Sequence, residues 1–490
     1  MKPVIEQLDS YIGDTASLFG LIAEQPWSHY LDSGAMKANE YIKTDKFATD
    51  QSCVDILVFS PQKTMVTYGT ETEIVDNELK GAGNHRRLST DNPIDLLKKE
   101  LNSLQVDGQY FIDHEMPFAG GAIGYFGYEL AGRLESLPQA PDDNLKMPEM
   151  AIGIYLVALV TCHLRRKSWL VDANGQNESL CQQWQQLITQ HNTSAQTLVM
   201  NSDCPPWQAT GALRDNMSRQ EYHEKFARVK QYLHDGDCYQ VNLTKRFCVP
   251  VQGNSWSSYL RMRELSPAPF AAYLNFPFAT VLSNSPEQFI GCLQGDVLTS
   301  PIKGTRPRDK GILEYDLALA QELEDSEKDQ AENLMIVDLM RNDIGRVCET
   351  GSVEVTALFS IESYTNVHHM VSKIVGRLRS DQHALDLLSA CFPGGSITGA
   401  PKKRAMEVIN ELEPNRRGVY CGAIGWVDFA GNMQTNIAIR TITVQAGKAY
   451  FSAGGGLVID SVEESEYQEI LDKAEVMLKI VGVDSANVDL

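Results

Sequence analysis

The chain has 490 residues, of which 43% are hydrophobic and 22% are charged, a composition typical of an ordinary folded protein. Its length allows two or three domains, or one large α/β domain with an elaborated core. The formal net charge of -21 argues against nucleic acid and anionic membranes as partners, and an anionic substrate would need local cations from Arg, Lys or a metal.

The ten cysteines are scattered singly, without a CxxC pair or a metal-like cluster, which is typical of a reducing compartment. The N-terminus has no basic-then-apolar signal segment. The apolar run at residues 150–162 is too short to cross a bilayer. These patterns predict a cytoplasmic protein without a membrane partner.

The N-terminal part of the chain mixes short strand-like and helical pieces. Residues 54–59 and 152–162 are predicted to be strands. Between them, the glycine-rich and aromatic residues 118–128 predict closely approaching backbones, because the spacing of a dinucleotide-binding loop is absent. Residues 177–210 are polar and rich in glutamine, which predicts a linker or a variable excursion.

A helix and a strand are well marked after this segment. Ser218 and Glu221 form a capping box, and apolar residues then recur at helical spacing until about residue 235. The strand at residues 238–244 alternates, which predicts one face on the core and one face on a wet cleft. That polar face carries Gln240, Asn242 and Thr244.

Lys303 lies in a constrained segment, because Pro301 and Pro307 restrict the backbone and Gly304 opens it. A surface lysine in a turn, paired with a carboxylate, is the alternative to a functional lysine.

The strands around this segment suggest a partner for Lys303. Residues 296–299 are predicted to be a strand, and residues 281–293 are strand-rich with a break at 285–286. If residues 294–296 form a three-residue hairpin turn, Glu287 pairs with Lys303 across the ladder. A slip of one residue would place the two side chains on opposite faces.

A helix at residues 329–347 is apolar nearly all round and is therefore predicted to be buried. Its charged residues are costly to bury unless they are paired or bound to a metal, and they include Glu332, Asp338, Arg341 and Asp343. Asp338 and Arg341 can pair at i,i+3. Glu332 has no evident cation partner on its own face.

Residues 393–402 form a glycine-rich entry to a helix at 403–411. The Gly-Lys-Ser/Thr ending of a nucleotide loop is absent, so either an anion site at free N–H groups or a plain tight turn is expected. Two strands follow at 422–429 and 436–444, and Arg440 interrupts the second.

The C-terminal segment contains a second glycine-rich run and a final helix. Residues 453–456 let the backbone approach a ligand closely. Ser461 and Glu464 predict a capping box for the final helix. One face of that helix carries Glu466, Glu469 and Lys473, for which a solvated Glu469–Lys473 pair is the alternative interpretation.

Together these motifs resemble the chorismate-utilising enzyme family, from about residue 218 to the C-terminus and more loosely before it. The motifs that carry the resemblance are GDCYQVNL (236–243), SPE (285–287), AENLMIVDL (331–339), GGSITGAPK (394–402) and EYQE (466–469). The resemblance implies an α+β (mixed α/β), anthranilate synthase component I-like fold, with large β-sheets in a sandwich-like core and helices outside. It also implies an N-terminal region at 1–205 and a chorismate-binding catalytic domain at 213–484.

The resemblance further implies the site residues. Lys303 and Glu287 would be catalytic. Mg²⁺ would be bound by Glu332 and Glu469, with Glu466 nearby and acting through water. Positions that match chorismate contacts in the family are Gly304, Thr305, Thr398, Tyr420, Arg440, Gly454, Gly455, Gly456 and Lys473.

Residues 301–305 (PIKGT) are similar to the family branch that aminates chorismate at C4. Anthranilate synthases carry alanine at the position of Lys303, and isochorismate and salicylate synthases carry a general-base lysine at the position of Gln240. The implied reaction is Mg²⁺-dependent conversion of chorismate and ammonia to 4-amino-4-deoxychorismate, for p-aminobenzoate and folate synthesis. Lys303 would add at C2 while Glu287 protonates the leaving 4-hydroxyl; a static cation that stabilises bound chorismate is the alternative role for Lys303.

The chain has no evident GxCxG nucleophile motif with an HxE partner. The resemblance therefore implies a separate glutamine amidotransferase (glutaminase) subunit that supplies ammonia. Some family members bind tryptophan at an N-terminal site, where Ser33, Pro269, Phe270 and Ala271 match. Residues 51–54 depart from the basic-aromatic pattern usual there.

Two other functions are open. An anthranilate synthase component I would use the same substrate and amination at C2. A non-catalytic chorismate-binding or scaffolding subunit would be expected to lack acid–base groups, whereas Glu287, Lys303, Glu332 and Glu469 are all present.

Overall fold

The computed structural model describes residues 2–34, 53–77, 85–135, 137, 141, 143–194, 204–309, 311–364 and 367–484. The elements before residue 195 are β1 (Val4–Gln7), α1 (Thr15–Phe19), β2 (Ser28–Asp32), β3 (Val54–Val58), β4 (Lys63–Tyr68), β5 (Glu71–Asp76), β6 (His85–Ser89), α2 (Pro93–Ser103), α3 (Gly108–Asp113), β7 (Gly121–Phe126), α4 (Ala131–Leu134), β8 (Met150–Tyr155), β9 (Val157–Cys162), β10 (Lys167–Asp172) and α5 (Glu178–Ser194).

The elements after residue 203 begin with two short strands and a capped helix. They are β11 (Gln208–Ala209), β12 (Arg214–Asp215), α6 (Arg219–His234), β13 (Gln240–Gln252), α7 (Ser255–Leu265), β14 (Phe270–Phe276), β15 (Ala279–Ser285), β16 (Gln288–Leu293), β17 (Asp296–Thr299), β18 (Ile302–Pro307), α8 (Leu313–Glu324), α9 (Glu327–Gly345), β19 (Glu354–Ser363), β20 (Val367–Arg377), α10 (Ala384–Cys391), β21 (Gly399–Ala400), α11 (Lys402–Leu412), β22 (Ala423–Asp428), β23 (Met433–Ile437), β24 (Thr441–Gln445), β25 (Lys448–Leu457) and α12 (Glu463–Ile480).

Two large antiparallel sheets form the framework. Sheet 1, 13-stranded in the described part of the chain, has the order β1-β10-β9-β3-β2-β14-β15-β24-β25-β13-β11, with β12 and β21 also on β13. Sheet 2 has 12 strands over the same residues, in the order β18-β20-β17-β16-β23-β22-β7-β8-β4-β5-β6, with β19 on β20. Each sheet combines strands from both predicted segments, 1–205 and 213–484, and the division itself stays a prediction.

The two sheets share a core. Tyr125 and Ile424 of sheet 2 pack in one cluster with Leu274 and Val281 of sheet 1. Helices cover the outer faces; in α9, for example, Ile336 and its apolar neighbours join the main core while the opposite side faces solvent. Burial of these alternating strand faces and helix stripes drives the assembly. The predicted mixed sandwich with outer helices is confirmed.

Two of the points at which the chain crosses between the sheets lie side by side. Residues 286–287 lead from β15 in sheet 1 to β16 in sheet 2, and residues 438–440 lead back from β23 to β24. The crossings are joined by hydrogen bonds, because the Ser285 hydroxyl donates to the Ile437 carbonyl at 2.6 Å and the Asn284 N–H donates to the Arg440 carbonyl at 3.1 Å. The predicted strand at 436–444 is therefore wrong as one strand, since Arg440 has a φ of 52° at the point of crossing.

Several local predictions are confirmed. The Ser218–Glu221 capping box starts α6. Gly124 faces Gly425 across β7 and β22, and a Cβ on Gly124 would lie 2.0 Å from the Ala151 carbonyl oxygen, so the backbones do approach closely. The polar segment at 177–210 is only partly irregular: residues 178–194 form α5, and residues 195–203 lie outside the described residues.

The predicted pairing of Glu287 with Lys303 is wrong. Leu293 pairs with Asp296, so the turn consists of Gln294 and Gly295, both with positive φ as in a type I′ hairpin. Strand β18 leaves this hairpin altogether and pairs with β20, where Lys303 lies opposite Met370.

Two helix predictions are also corrected. The helix α9 is not buried all round, because Leu334 is 51% exposed while Ile336 and Met340 are buried. The final helix α12 has Val462 at its N-cap, without a side-chain cap; the Ser461 hydroxyl instead donates to Glu466 Oε1 at 2.7 Å. Among the described residues, no helix is both long enough and apolar enough to span a membrane. The cytoplasmic location stays a prediction.

Candidate active site

Gly304 creates a bulge that sets the position of Lys303. The register between β18 and β20 shifts between Lys303 and Thr305, and Gly304 has a φ of 75°. A Cβ at this glycine would lie 2.9 Å from Asp329 Cγ and would meet the side chain of Leu323. The segment therefore needs glycine for its backbone conformation and for its close packing on α9.

Lys303 points from this bulge toward the glycine-rich turn and α9. Its Nζ lies 3.5 Å from the Ser396 carbonyl oxygen and 4.0 Å from Glu332 Oε2, and its side chain is 12% exposed. Both distances are longer than that of an ordinary hydrogen bond, so neither group is a close partner of the ammonium.

Glu287 lies beside Lys303 through other residues rather than through a ladder. The Ser396 side chain and the Ile302 N–H both hydrogen-bond to Glu287. Burial raises the pKa of Glu287 to about 7, against the opposing effects of these hydrogen bonds and of the Lys303 charge. A carboxyl group with this pKa can hold or release a proton near neutral pH, as a general acid must.

Arg440 supplies a partly buried cation at the second crossing. Burial lowers its pKa, while Tyr420 and Glu469 oppose that effect. Within the described chain its guanidinium has neither a hydrogen-bond partner nor an ion-pair partner. A partly buried guanidinium without a carboxylate partner is unfavourable, and a planar carboxylate of a ligand would satisfy it through two parallel hydrogen bonds.

His369 is a neighbour that the sequence did not reveal. Its Nδ1 lies 2.9 Å from the Thr305 hydroxyl, so Thr305 is tied to β20. Burial, with the charge of Arg440, lowers the pKa of His369 to about 4 and keeps the imidazole neutral. The only signal in the sequence was a histidine in a strand, which is not specific.

Gln240 is a second residue with unmet hydrogen bonds. It is fully buried, and its Oε1 and Nε2 both lack a partner among the described residues. The amide lies under Gly456, where an added Cβ would be 2.7 Å from Nε2. The prediction that this polar face meets a wet cleft is wrong, because Gln240, Asn242 and Thr244 are all buried. A buried amide without partners is costly until a ligand or water binds it.

The turn at 394–398 contributes backbone groups. The Thr398 hydroxyl donates to the Gly394 carbonyl at 2.9 Å, and the Asn242 N–H donates to the Thr398 carbonyl at 2.8 Å. Thr398 thus orders the turn whose Ser396 contacts both Lys303 and Glu287.

The three candidate metal ligands face one another across α9 and α12. A Cβ on Gly455 would lie 3.0 Å from Glu466 Oε2 and 3.8 Å from Glu469 Oε1, so both carboxylates lie over that glycine. Lys328 Nζ is 3.6 Å from Glu466 and 3.9 Å from Glu332. The prediction that Glu332 lacks a cation on its own face is therefore wrong; the Lys328-x-x-x-Glu332 spacing was the signal for it.

Lys473 links the carboxylates to the glycine strand. Its Nζ lies 2.5 Å from Glu469 Oε1 and donates to the Gly454 carbonyl at 3.0 Å. Burial raises the pKa of Glu469, but Lys473 and the charges of Lys303 and Lys328 outweigh it, so the net pKa is below the ordinary value. Burial raises the pKa of Glu332 despite the same two charges.

These carboxylates fit Mg²⁺ by their chemistry, because Mg²⁺ prefers oxygen donors. In the structure their negative charge is balanced by Lys328 and Lys473, which pair with them. Over the described residues, no group of three or more His, Cys, Asp or Glu side chains is already arranged to hold a metal ion.

The four residues predicted for a tryptophan site lie together, away from Lys303. Ser33, Pro269, Phe270 and Ala271 line a small pocket of about 40 Å³ between the two sheets. Asp32 and Trp426 complete its walls. Of the residues that depart from the usual pattern, 51 and 52 lie outside the described residues.

The chain is similar to known proteins over most of its length. A family model described as chorismate binding enzyme matches residues 40–479. Aminodeoxychorismate synthase component 1 of Escherichia coli (strain K12) is 44% identical over 461 residues, 94% of each chain. Anthranilate synthase component 1 of Acetivibrio thermocellus is 38% identical over 399 residues, 80% of each chain. The crystal structure of anthranilate synthase component I from Streptococcus pneumoniae TIGR4 matches with a TM-score of 0.74 and 30% identity, covering 89% of this chain and 96% of that one.

The family resemblance of the motifs is confirmed by these matches, which include the N-terminal strands as well as the C-terminal motifs. The chain belongs to the family of chorismate binding enzymes.

Proposed function

We propose that this protein converts chorismate and ammonia to 4-amino-4-deoxychorismate, the precursor of p-aminobenzoate and folate. The observation that carries the proposal is the placement of Lys303: it lies at the bulge of β18, beside a carboxyl group whose pKa is about 7. The relatives named aminodeoxychorismate synthase component 1, at 44% identity, support the same reaction.

Chorismate is a dianion, and the partly buried Arg440 is placed to bind one of its carboxylates in a planar, bidentate way. Gly304, Gly454 and Gly456 pack tightly against protein groups that an added Cβ would meet, so these positions can offer only backbone atoms to a ligand. Glu332, Glu466 and Glu469 would hold Mg²⁺, which when bound would supply positive charge to the other substrate carboxylate.

Lys303 acts as the nucleophile in the proposed reaction. Its neutral amine bonds to C2, the two conjugated ring double bonds shift from C1–C2 and C5–C6 to C1–C6 and C4–C5, and the 4-hydroxyl leaves as water with the proton of Glu287. Ammonia then bonds to C4, both double bonds shift back to C5–C6 and C1–C2, and the Lys303 amine leaves C2. Glu287, now a carboxylate, accepts the proton released by the incoming ammonia.

The amine of Lys303 must lose a proton before it reacts. The long contacts of Lys303 are favourable here, because a close carboxylate would stabilise the ammonium form further.

Ammonia would come from glutamine through a partner glutaminase subunit. The relatives named component 1 support a partner component, and this chain has no evident glutaminase nucleophile motif.

The test is to incubate the protein with chorismate, Mg²⁺ and ammonium and to identify the product by mass spectrometry. We expect a product that keeps the enolpyruvyl group and has an amine in place of one hydroxyl. Fluorescent anthranilate with release of pyruvate would instead establish anthranilate synthase activity, the alternative supported by the 38% identical relative.

The covalent role of Lys303 has a separate test. With chorismate but without ammonia, the intact protein should gain the mass of chorismate less one water, and Lys303→Ala should not. Absence of the adduct in the active wild-type protein would leave Lys303 as a static cation only.

A further inference from the structure

Lys328 is an unassigned cation within the carboxylate cluster. It lies in the first turn of α9, and its Nζ bridges Glu466 of α12 at 3.6 Å and Glu332 of its own helix at 3.9 Å. It thus joins two of the three carboxylates that the proposed function assigns to Mg²⁺.

Helix stability does not explain a lysine at this place. The N-terminus of a helix carries partial positive charge, so a cation in the first turn is unfavourable, and the neighbouring Glu327 and Asp329 are the acidic residues usual there. A lysine that precedes its glutamate by four residues is also the weaker orientation of such a pair. Lys328 differs from an ordinary helix-surface lysine because it contacts Glu466 on another helix, α12.

The carboxylates themselves need this charge. Glu466 and Glu332 are largely buried, with side chains 5% and 15% exposed, and Glu469 lies beside them. Like charges at this distance repel unless cations lie between them.

Of Lys303, Lys328 and Lys473, Lys328 is the lysine that can most easily move away from the carboxylates into solvent. Its side chain is 55% exposed, against 12% for Lys303 and 34% for Lys473. Its two ion pairs are also long, and it makes no hydrogen bond in the described structure, so it can turn into solvent at little cost.

We propose that Lys328 is a displaceable counter-ion of the metal site: it neutralises Glu332 and Glu466 when no divalent cation is bound and moves into solvent when one binds. Since the lysine and the metal ion compete for the same oxygens, Lys328 weakens metal binding. This inference rests on the proposed function, because that function places Mg²⁺ at these carboxylates.

The test measures metal binding to the full chain without chorismate. Mg²⁺ affinity is measured by titration calorimetry, and Mn²⁺ affinity by electron paramagnetic resonance of the free ion. We expect Lys328→Gln to bind both ions about tenfold more tightly than the wild type, which is about 1.4 kcal/mol. Lys328→Arg keeps the charge and should keep the wild-type affinity.

Arg341→Gln is the matched control. It removes one positive charge from the same helix, but Arg341 pairs with the 81% exposed Asp338, 13 residues or about 20 Å along the helix from Lys328. Its metal affinity should equal that of the wild type. An affinity of Lys328→Gln equal to or weaker than the wild type overturns the proposal, because Lys328 would then be a bystander or would preorganise the ligands.

Two further variants separate this inference from the metal assignment. If Glu332→Gln and Glu469→Gln bind metal as the wild type does, the assignment of Mg²⁺ to this cluster is wrong. If both variants lose metal while Lys328→Gln is unchanged, only the counter-ion role is overturned. A stability readout is independent of affinity: the Lys328→Gln melting temperature should be lower than that of the wild type in EDTA, and saturating Mg²⁺ should remove the difference.

Discussion

Two clusters of polar and charged side chains, one around Asp55 and one at the active site, differ in how completely their hydrogen bonds are satisfied. Asp55, in sheet 1, accepts hydrogen bonds from the Thr15, Tyr30 and Ser33 hydroxyls and from the Ser33 N–H, and it lies 2.7 Å from His163 Nε2. At the active site, by contrast, the amide of Gln240 has no partner within the described chain, and Arg440 has no anion.

The difference indicates where a ligand is needed. The Asp55 cluster is complete by itself, so its polar groups hold β2, β3 and α1 together. The active-site groups are costly until something else binds them, which is expected of a binding site and unfavourable for stability alone. Substitutions should therefore affect activity in one cluster and stability in the other.

The largest effect is expected from Lys303→Ala. Loss of the nucleophile should lower aminodeoxychorismate formation by ~10³-fold or more, with little change in melting temperature because the contacts of Lys303 are long. Product formation with ammonium, followed by mass spectrometry, is the measurement. Lys479→Ala, which removes a half-exposed lysine paired with Glu475, is the control and should keep full activity. Unimpaired product formation by Lys303→Ala would remove this residue from the mechanism.

Glu287→Gln should lower the rate by about 10²- to 10⁴-fold, because an amide cannot protonate the leaving hydroxyl. In the wild type, the active acid form decreases as pH rises through about 7, so the rate should fall on that side. A pH–rate profile from pH 5 to 9 checks this. The same falling limb in a slow but measurable Glu287→Gln variant would assign the limb to another group.

Glu287 should also affect stability with a definite sign. Burial raises its pKa from 4.5 to about 7, so the folded protein binds this proton more tightly than the unfolded chain does. The stabilisation is complete below pH 4.5 and is lost as pH rises through 7, an amount of about 3 kcal/mol. Denaturant unfolding of wild type and Glu287→Gln at pH 5 and pH 8 measures it; the pH-dependent difference should be smaller in the variant.

Asp55→Asn should mainly destabilise the protein, by about 3 kcal/mol, since it leaves His163 and several donors poorly satisfied. Burial raises the pKa of Asp55, but His163, Ser33 and Thr15 outweigh it and hold it at about 2. Its stabilisation is therefore present above pH 3.8 and is lost as pH falls through 2. That of His163, whose pKa is raised by Asp55 against burial, is lost as pH rises above 6.5.

Urea unfolding at pH 5 measures this effect, with Asp338→Asn as the control. Asp338 is 81% exposed and pairs only loosely with Arg341, so its change should be the smallest of the series, below about 0.5 kcal/mol. An Asp55→Asn variant as stable as Asp338→Asn, yet defective in catalysis, would reverse the comparison between the two clusters.

Local signals predicted local features correctly. The capping box at Ser218 and Glu221 and the close glycine contact at Gly124 depend on residues near in sequence or on one small side chain. The family resemblance predicted Lys303, Glu287 and Arg440 as site residues. In the structure, Glu287 and Arg440 lie at the two adjacent sheet crossings, and Lys303 and Glu287 both lie near Ser396. The roles of these residues and the metal ligand set stay predictions.

Most of the wrong predictions concern strand pairing or side-chain contacts between segments that are far apart in sequence. The turn between β16 and β17 has two residues and not three, which excludes the register that would pair Glu287 with Lys303. In addition, β18 pairs with β20, a strand that begins about 65 residues later in the chain. The Ser461 hydroxyl does not cap the helix: its oxygen accepts from the Val458 N–H, outside the helix, and its proton goes to Glu466. The sequence did not predict His369 as a site residue, because only the folded structure places it beside Thr305 and Arg440.

The sequence by itself determined the family, the helix and turn signals, and the presence of a constrained lysine next to a glycine, because these depend on residue identity and short spacing. The tertiary structure alone decided how the chain crosses between the sheets at residues 286–287 and 438–440, and thereby which charges meet. The physical reason is that strand pairing and burial are settled among segments far apart in sequence. Those crossings bring Glu287 beside Ser396 and leave Arg440 without an anion.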